Sequence, residues 1–159
     1  MDRLAFGINV VMSLASSILA AALFVAPRLR TMERDRALLL LVVPHLFLRF
    51  IGLSFLVPGV VSEAVPKGFA IPAAYGDLGA GILAIFATLA LARRAPWARP
   101  AVWLFNLWGA VDLLFAYLQG ARLDVPPGAF GAAFFIPTAI APPMLVTHFL
   151  AFRLLVRRS

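Results

Sequence analysis

A histidine and an arginine lie four residues apart in the middle of a long apolar run, at His45 and Arg49. This spacing places both side chains on one face of a helix, one turn from each other. A cation near the centre of a bilayer costs at least about 2.5–3.5 kcal/mol on insertion scales. We therefore expect other polar side chains of the chain to compensate Arg49.

Two aspartates inside later apolar runs, Asp77 and Asp112, are the candidate partners of Arg49, whereas Asn106 and Tyr117 fall on a different face from Asp112. Such a group could bind a ligand or relay protons. It could equally be a structural ion pair that only fixes the helix register. One arginine cannot neutralise two carboxylates, so the second must be protonated, exposed to water or paired elsewhere. This imbalance favours a buried polar site for a small polar ligand, a lipid headgroup or protons.

The two histidines of the chain, His45 and His148, lie at similar distances from the arginine-rich ends of their apolar runs. Two imidazoles at equal depth could be axial ligands of a b-type haem in an electron-transfer subunit. They could also extend a proton relay. A third alternative is an accessory subunit of a larger membrane complex, in which all these polar residues are structural.

Other kinds of site find little support in the sequence. The chain has no cysteine, which excludes thiolate metal sites, and two histidines alone supply too few ligands for zinc or copper. It contains no phosphate-binding loop, nucleophile elbow or helical zinc motif. No catalytic residue and no metal site are predicted, no cofactor other than the possible haem b is expected, and enzyme activity is not indicated.

Composition defines the class of protein that must position these residues. The chain has 159 residues, of which 63% are hydrophobic and 13% are charged. Soluble domains are about 45–50% apolar and about 25% charged. The net charge of +7 comes from arginines at the ends of apolar runs, where lipid headgroups lie, so nucleic acid is not an expected partner.

Several apolar runs are long enough to cross about 30 Å of hydrocarbon. They predict an all-α membrane bundle of five transmembrane helices in one domain over residues 1–159, with four spans as the fallback. The predicted spans cover residues 4–26, 37–61, 69–92, 101–118 and 134–156.

The placement of arginine predicts the orientation in the membrane. Arginines are concentrated after the first, third and fifth spans, whereas the other side has only Arg3, Lys67 and Arg122. Cytoplasmic loops carry the excess of Lys and Arg, so the N-terminus is expected outside and the C-terminus in the cytoplasm. The richness in arginine and alanine indicates a bacterial inner-membrane protein. Its expected partners are membrane lipids and a membrane protein or a second copy of the chain.

The segment VPKGFAIPAAYGD, which ends at Asp77, follows a helix with Arg49 and Gly52. This arrangement resembles small uncharacterised bacterial membrane proteins that pair an Arg-plus-Gly helix with a P-x-x-F-A-x-P-A-x-x-G-D segment. The resemblance covers the second and third spans and implies a small polytopic fold with a relationship between Arg49 and Asp77. It implies no known activity. The matching positions are Arg49, Gly52, Pro66, Phe69, Ala70, Pro72, Ala73, Gly76 and Asp77.

Overall fold

The computed structural model describes residues 2–157, so Met1, Arg158 and Ser159 lie outside it. Within that range the chain forms helices and turns and no strand. Five helices are long and apolar enough to cross a membrane, as the five-span prediction required. These helices are α1 (Asp2–Thr31), α2 (Arg34–Leu56), α3 (Lys67–Ala92), α4 (Ala98–Arg122) and α5 (Ile136–Val156).

The second span ends earlier than the sequence predicted, at Leu56 rather than Val61. Val57 is extended, and Gly59 follows with a φ of +83°, a conformation that glycine adopts without strain. The dipeptide Pro58-Gly59 therefore forms a turn outside the helix. The chain between α4 and α5 contains two short 3-10 turns within Pro127–Phe134, separated by a kink at Gly131, whose φ is +52°.

Helix α2 is not a regular α-helix, and the irregularity lies where the polar residues are. Its first part, Arg34–Val42, is α-helical, and Val43 and Pro44 form a turn because proline removes a backbone donor. The helix resumes at His45 and becomes a 3-10 helix over Arg49–Leu56.

The bundle has two large apolar clusters, one toward each end, and a smaller third one around Met144. The first, toward the arginine-rich end, includes Leu38 and Val102, and the second includes Phe55 and Phe130. Helix α3 packs along both α2 and α4, and its inner face is rich in alanine, which lets neighbouring backbones approach closely. The buried polar side chains of α2 to α5 are found between the two clusters.

Candidate functional site

Arg49 is the centre of the buried polar cluster, and its side chain is fully inaccessible. A guanidinium group carries five N–H donors and no acceptor. Nη1 donates to Asp77 at 2.6 Å and to Asp112 at 2.8 Å. Nη2 donates to the carbonyl of Gly109 at 2.7 Å and to His148 at 2.9 Å. The predicted buried ion pair is therefore present, and it involves both carboxylates.

The fifth donor of Arg49, Nε, points back along its own helix to Nδ1 of His45 at 3.4 Å. All five N–H groups thus have acceptors inside the protein, and these acceptors come from α2, α3, α4 and α5. A buried charge is tolerated only when it is paired and hydrogen-bonded in this way. The guanidinium of Arg49 therefore forms hydrogen bonds with residues of four of the five long helices.

The carboxylates of the two aspartates occupy space that is free because two neighbouring residues are glycines without a side chain. A Cβ atom at Gly52 would overlap the carboxylate of Asp77, and one at Gly76 would overlap the carboxylate of Asp112. Each aspartate side chain keeps about a tenth of its surface accessible, 11% for Asp77 and 10% for Asp112. Both carboxylates are held by Arg49 and both face the cavity described below.

The hydrogen bonds of His148 determine its tautomer. Because the guanidinium of Arg49 can only donate, Nε2 of His148 must accept. The proton of the neutral ring is then on Nδ1, which donates to Oδ1 of Asn106 at 2.7 Å. The amide nitrogen of Asn106 in turn donates to the carbonyl of His148 at 3.2 Å. Asn106 therefore fixes the imidazole as an acceptor for Arg49.

His45 has the opposite tautomer for the same reason. Its Nδ1 faces the Nε donor of Arg49, so the proton is on Nε2, 2.9 Å from the hydroxyl of Thr147. That hydroxyl donates to the carbonyl of Met144 at 2.7 Å and is free to accept from His45. Both imidazoles are therefore neutral in this network.

The histidine pair does not fit a haem held between the two rings. The ring centroids of His45 and His148 lie 4.5 Å apart, which is direct side-chain contact without space for a macrocycle. All four ring nitrogens already have hydrogen-bond partners. In addition, residues 2–157 contain no group of three or more acidic, His or Cys side chains placed to hold a metal ion. Arg49 lies between the carboxylates and the imidazoles.

A cavity of about 420 Å³ extends from the carboxylates toward the turn after α4. Asp112 precedes the end of α4 at Arg122 by ten residues, which is about 15 Å along the helix. The walls are mostly apolar, and Asp77 and Asp112 are at the inner end. Five aromatic rings line the cavity, those of Phe6, Phe55, Phe69, Tyr117 and Phe130.

An ion pair lies at the outer end of the cavity, where Arg3 of α1 donates to Asp124 at 2.5 Å. Both side chains are mostly exposed, so water and salt screen the pair. The hydrogen bond from Arg3 and the charge of its guanidinium hold the pKa of Asp124 below the usual range. This contact joins α1 to the turn after α4.

The structure brings the five residues singled out from sequence into one cluster, namely His45, Arg49, Asp77, Asp112 and His148. Three further residues form hydrogen bonds in this cluster and were not predicted from the sequence, namely Asn106, Gly109 and Thr147. Asn106, which the sequence placed on a different face of the helix from Asp112, reaches the cluster through His148. The available signal was the polar amide of Asn106 inside an apolar run, whereas the backbone carbonyl of Gly109 leaves no signal in the sequence.

The fold and the site together define a class, a multi-span helical membrane protein assembled around one buried arginine with two carboxylates and two imidazoles. A family model described as "Domain of unknown function (DUF8737)" matches residues 5–156, and the chain belongs to this family. No curated protein and no solved structure matches the chain.

Proposed function

We propose that this is a bacterial inner-membrane protein that binds a small cationic or hydrogen-bond-donating ligand, protons included, at Asp77 and Asp112. The observation that carries the proposal is that two carboxylates share one guanidinium nitrogen and both face a cavity. With the arginine-rich turns in the cytoplasm, the Arg3–Asp124 end of the cavity opens to the outside.

The charges of the cluster favour a cationic ligand over an anion. Both imidazoles are neutral, so one guanidinium faces two carboxylates, and the group carries a net negative charge when both carboxylates are ionised. All five N–H donors of Arg49 are used within the protein. The guanidinium therefore has no donor left for an anionic ligand or the phosphate of a lipid headgroup.

The walls of the cavity favour an organic cation with an apolar body. Its volume falls within the range of small-molecule sites, about 300–1,000 Å³. Aromatic faces attract cations, and the apolar lining accepts a hydrocarbon body. A ligand whose ammonium group reaches Asp112 would place its body among the rings near Tyr117 and Phe69.

Two probes of the same shape and opposite charge test the proposal. Phenethylammonium and phenylacetate are each equilibrated with the detergent-purified protein, and the bound fraction is measured by equilibrium dialysis. We expect saturable binding of phenethylammonium only. Asp77→Asn and Asp112→Asn should each weaken this binding about tenfold or more, since each removes an ionic hydrogen-bond acceptor.

The matched control is Asp35→Asn, because Asp35 lies at the opposite end of the bundle, 3.8 Å from Arg99, and does not line the cavity. This variant should bind phenethylammonium as the natural protein does. If neither probe binds, or if both bind regardless of the aspartates, the ligand site is refuted and the cluster is a structural ion pair.

The haem alternative has a separate and simple check. An electron-transfer subunit with His45 and His148 as axial ligands would be purified with a Soret absorption band that His45→Ala abolishes. The contact between the two rings leads us to expect no such band. Its presence would require the two imidazoles to separate.

A further inference from the structure

Two adjacent grooves lie at the arginine-rich end of the bundle, with volumes of about 320 Å³ and 270 Å³. They are bordered by the last turns of α1 and α5, and the larger one also reaches the first turns of α2 and α4. Both are separate from the carboxylate cavity, with which they share no residue. The guanidinium groups around them belong to Arg30, Arg34, Arg99, Arg153 and Arg157.

These arginines are little compensated by acidic residues. Within residues 2–157, no carboxylate lines either groove. Asp35 lies 3.8 Å from Arg99, and the exposed Glu33 adjoins Arg34 in sequence without lining a groove. Arg34 donates to the backbone carbonyl of Arg157, which fixes the approach of α2 to the end of α5. The remaining guanidinium groups leave a concentrated positive charge.

The floor of the grooves is apolar, which distinguishes them from an ordinary charged surface. Leu29 of α1 and Leu154 of α5 belong to both grooves, and Leu150 extends the wall of the second one along α5. This wall runs from the arginines toward the membrane-spanning part of the bundle. A ligand that fills it needs an anionic end beside the arginines and a hydrocarbon part beside the leucines.

We propose that these grooves bind an anionic phospholipid, with its phosphate among Arg30, Arg153 and Arg157 and the start of one acyl chain against Leu150 and Leu154. Guanidinium groups bind phosphate through paired, charge-assisted hydrogen bonds. Basic pockets between transmembrane helices are known to bind lipid headgroups of this charge. The lipid would thereby connect the ends of α1 and α5.

Native mass spectrometry of the detergent-purified full chain tests this assignment with defined lipids. Phosphatidylglycerol and phosphatidylcholine are added separately, and the fraction of protein that retains one lipid is measured against lipid concentration. We expect phosphatidylglycerol to be retained at least about tenfold more strongly. Arg30→Gln with Arg157→Gln should weaken its retention about tenfold or more, since one arginine near an anionic lipid contributes roughly a factor of five.

The control variant is Arg93→Gln with Arg94→Gln, which removes two exposed arginines from the same end of the bundle outside both grooves. It should retain phosphatidylglycerol as the natural protein does. Equal losses of lipid in the two double variants would show that only the overall charge matters, and would refute a specific site in the grooves. Glycerol phosphate, which lacks acyl chains, should not displace the lipid at equal concentration. Displacement of the lipid by glycerol phosphate would indicate that the grooves bind a soluble phosphate compound, which would contradict the lipid proposal.

Discussion

Neutralising the two aspartates one at a time and then together should reveal a strong coupling between them. Their oxygens touch the same nitrogen of Arg49 at 2.6 Å and 2.8 Å, so they lie no farther apart than the sum of these distances. At an effective dielectric constant of about 20, each attracts the guanidinium by about 6 kcal/mol, and the two repel each other by at least about 3 kcal/mol. Either single variant therefore loses attraction but also removes repulsion.

The double variant behaves differently because nothing remains to compensate Arg49. Asp77→Asn and Asp112→Asn should each change the free energy of unfolding by about 1–2 kcal/mol, since an amide oxygen can still accept from Nη1. Together they should cost about 3 kcal/mol more than the sum of the single effects, because the repulsion between the two carboxylates can be relieved only once, and the buried guanidinium is then left without an anionic partner.

Unfolding in lipid–detergent bicelles by titration with sodium dodecyl sulfate measures these free energies for the natural chain and the three variants. Restoring the balance with Arg49→Met in the double-variant background should recover part of the loss, because the uncompensated charge is removed. Additive effects of the two aspartates, or a single variant as unstable as the double one, would refute the shared-guanidinium reasoning.

Three further outcomes follow from the same contacts. Gly109→Ala should destabilise the protein by about 1–3 kcal/mol, because a Cβ there would lie 2.6 Å from His148, whereas Gly7→Ala, with open space around it, should not. Nitrogen NMR should show His148 protonated on Nδ1, and Asn106→Ala should remove that preference; protonation on Nε2 in the natural chain would contradict the network. The carboxyl of Asp124 should titrate below the ordinary aspartate value of about 3.9, so its ion pair is present at neutral pH and is lost as the pH falls through the lowered pKa; a carbon NMR midpoint at or above 3.9 would contradict the contact.

The sequence predicted the parts of the fold that depend on long apolar runs and on expensive buried charges. The five helices follow from hydropathy, and the pairing of Arg49 with Asp77 and Asp112 follows from the cost of an isolated charge in hydrocarbon. The helices depend only on local hydropathy. The ion pair has few alternative partners, because no other carboxylates lie deep within the apolar runs.

The sequence could not predict the contacts that depend on how helices are rotated against each other. Asn106 joins the cluster because α5 presents His148 to it, and Gly109 contributes a backbone carbonyl, which leaves no pattern in residue types. The similar positions of His45 and His148 along their apolar runs could not distinguish rings in contact, as the structure has them, from rings on either side of a cofactor. The early end of α2 at Leu56 likewise depends on the turn at Gly59.

The most direct test of the ligand site is a crystal structure of the protein grown with phenethylammonium. We expect its ammonium group within hydrogen-bond distance, about 3 Å, of a carboxylate oxygen of Asp77 or Asp112. Its ring should lie among the aromatic side chains of the cavity, near Phe69 and Tyr117. A cavity that holds only water or detergent at saturating phenethylammonium would contradict the proposed function.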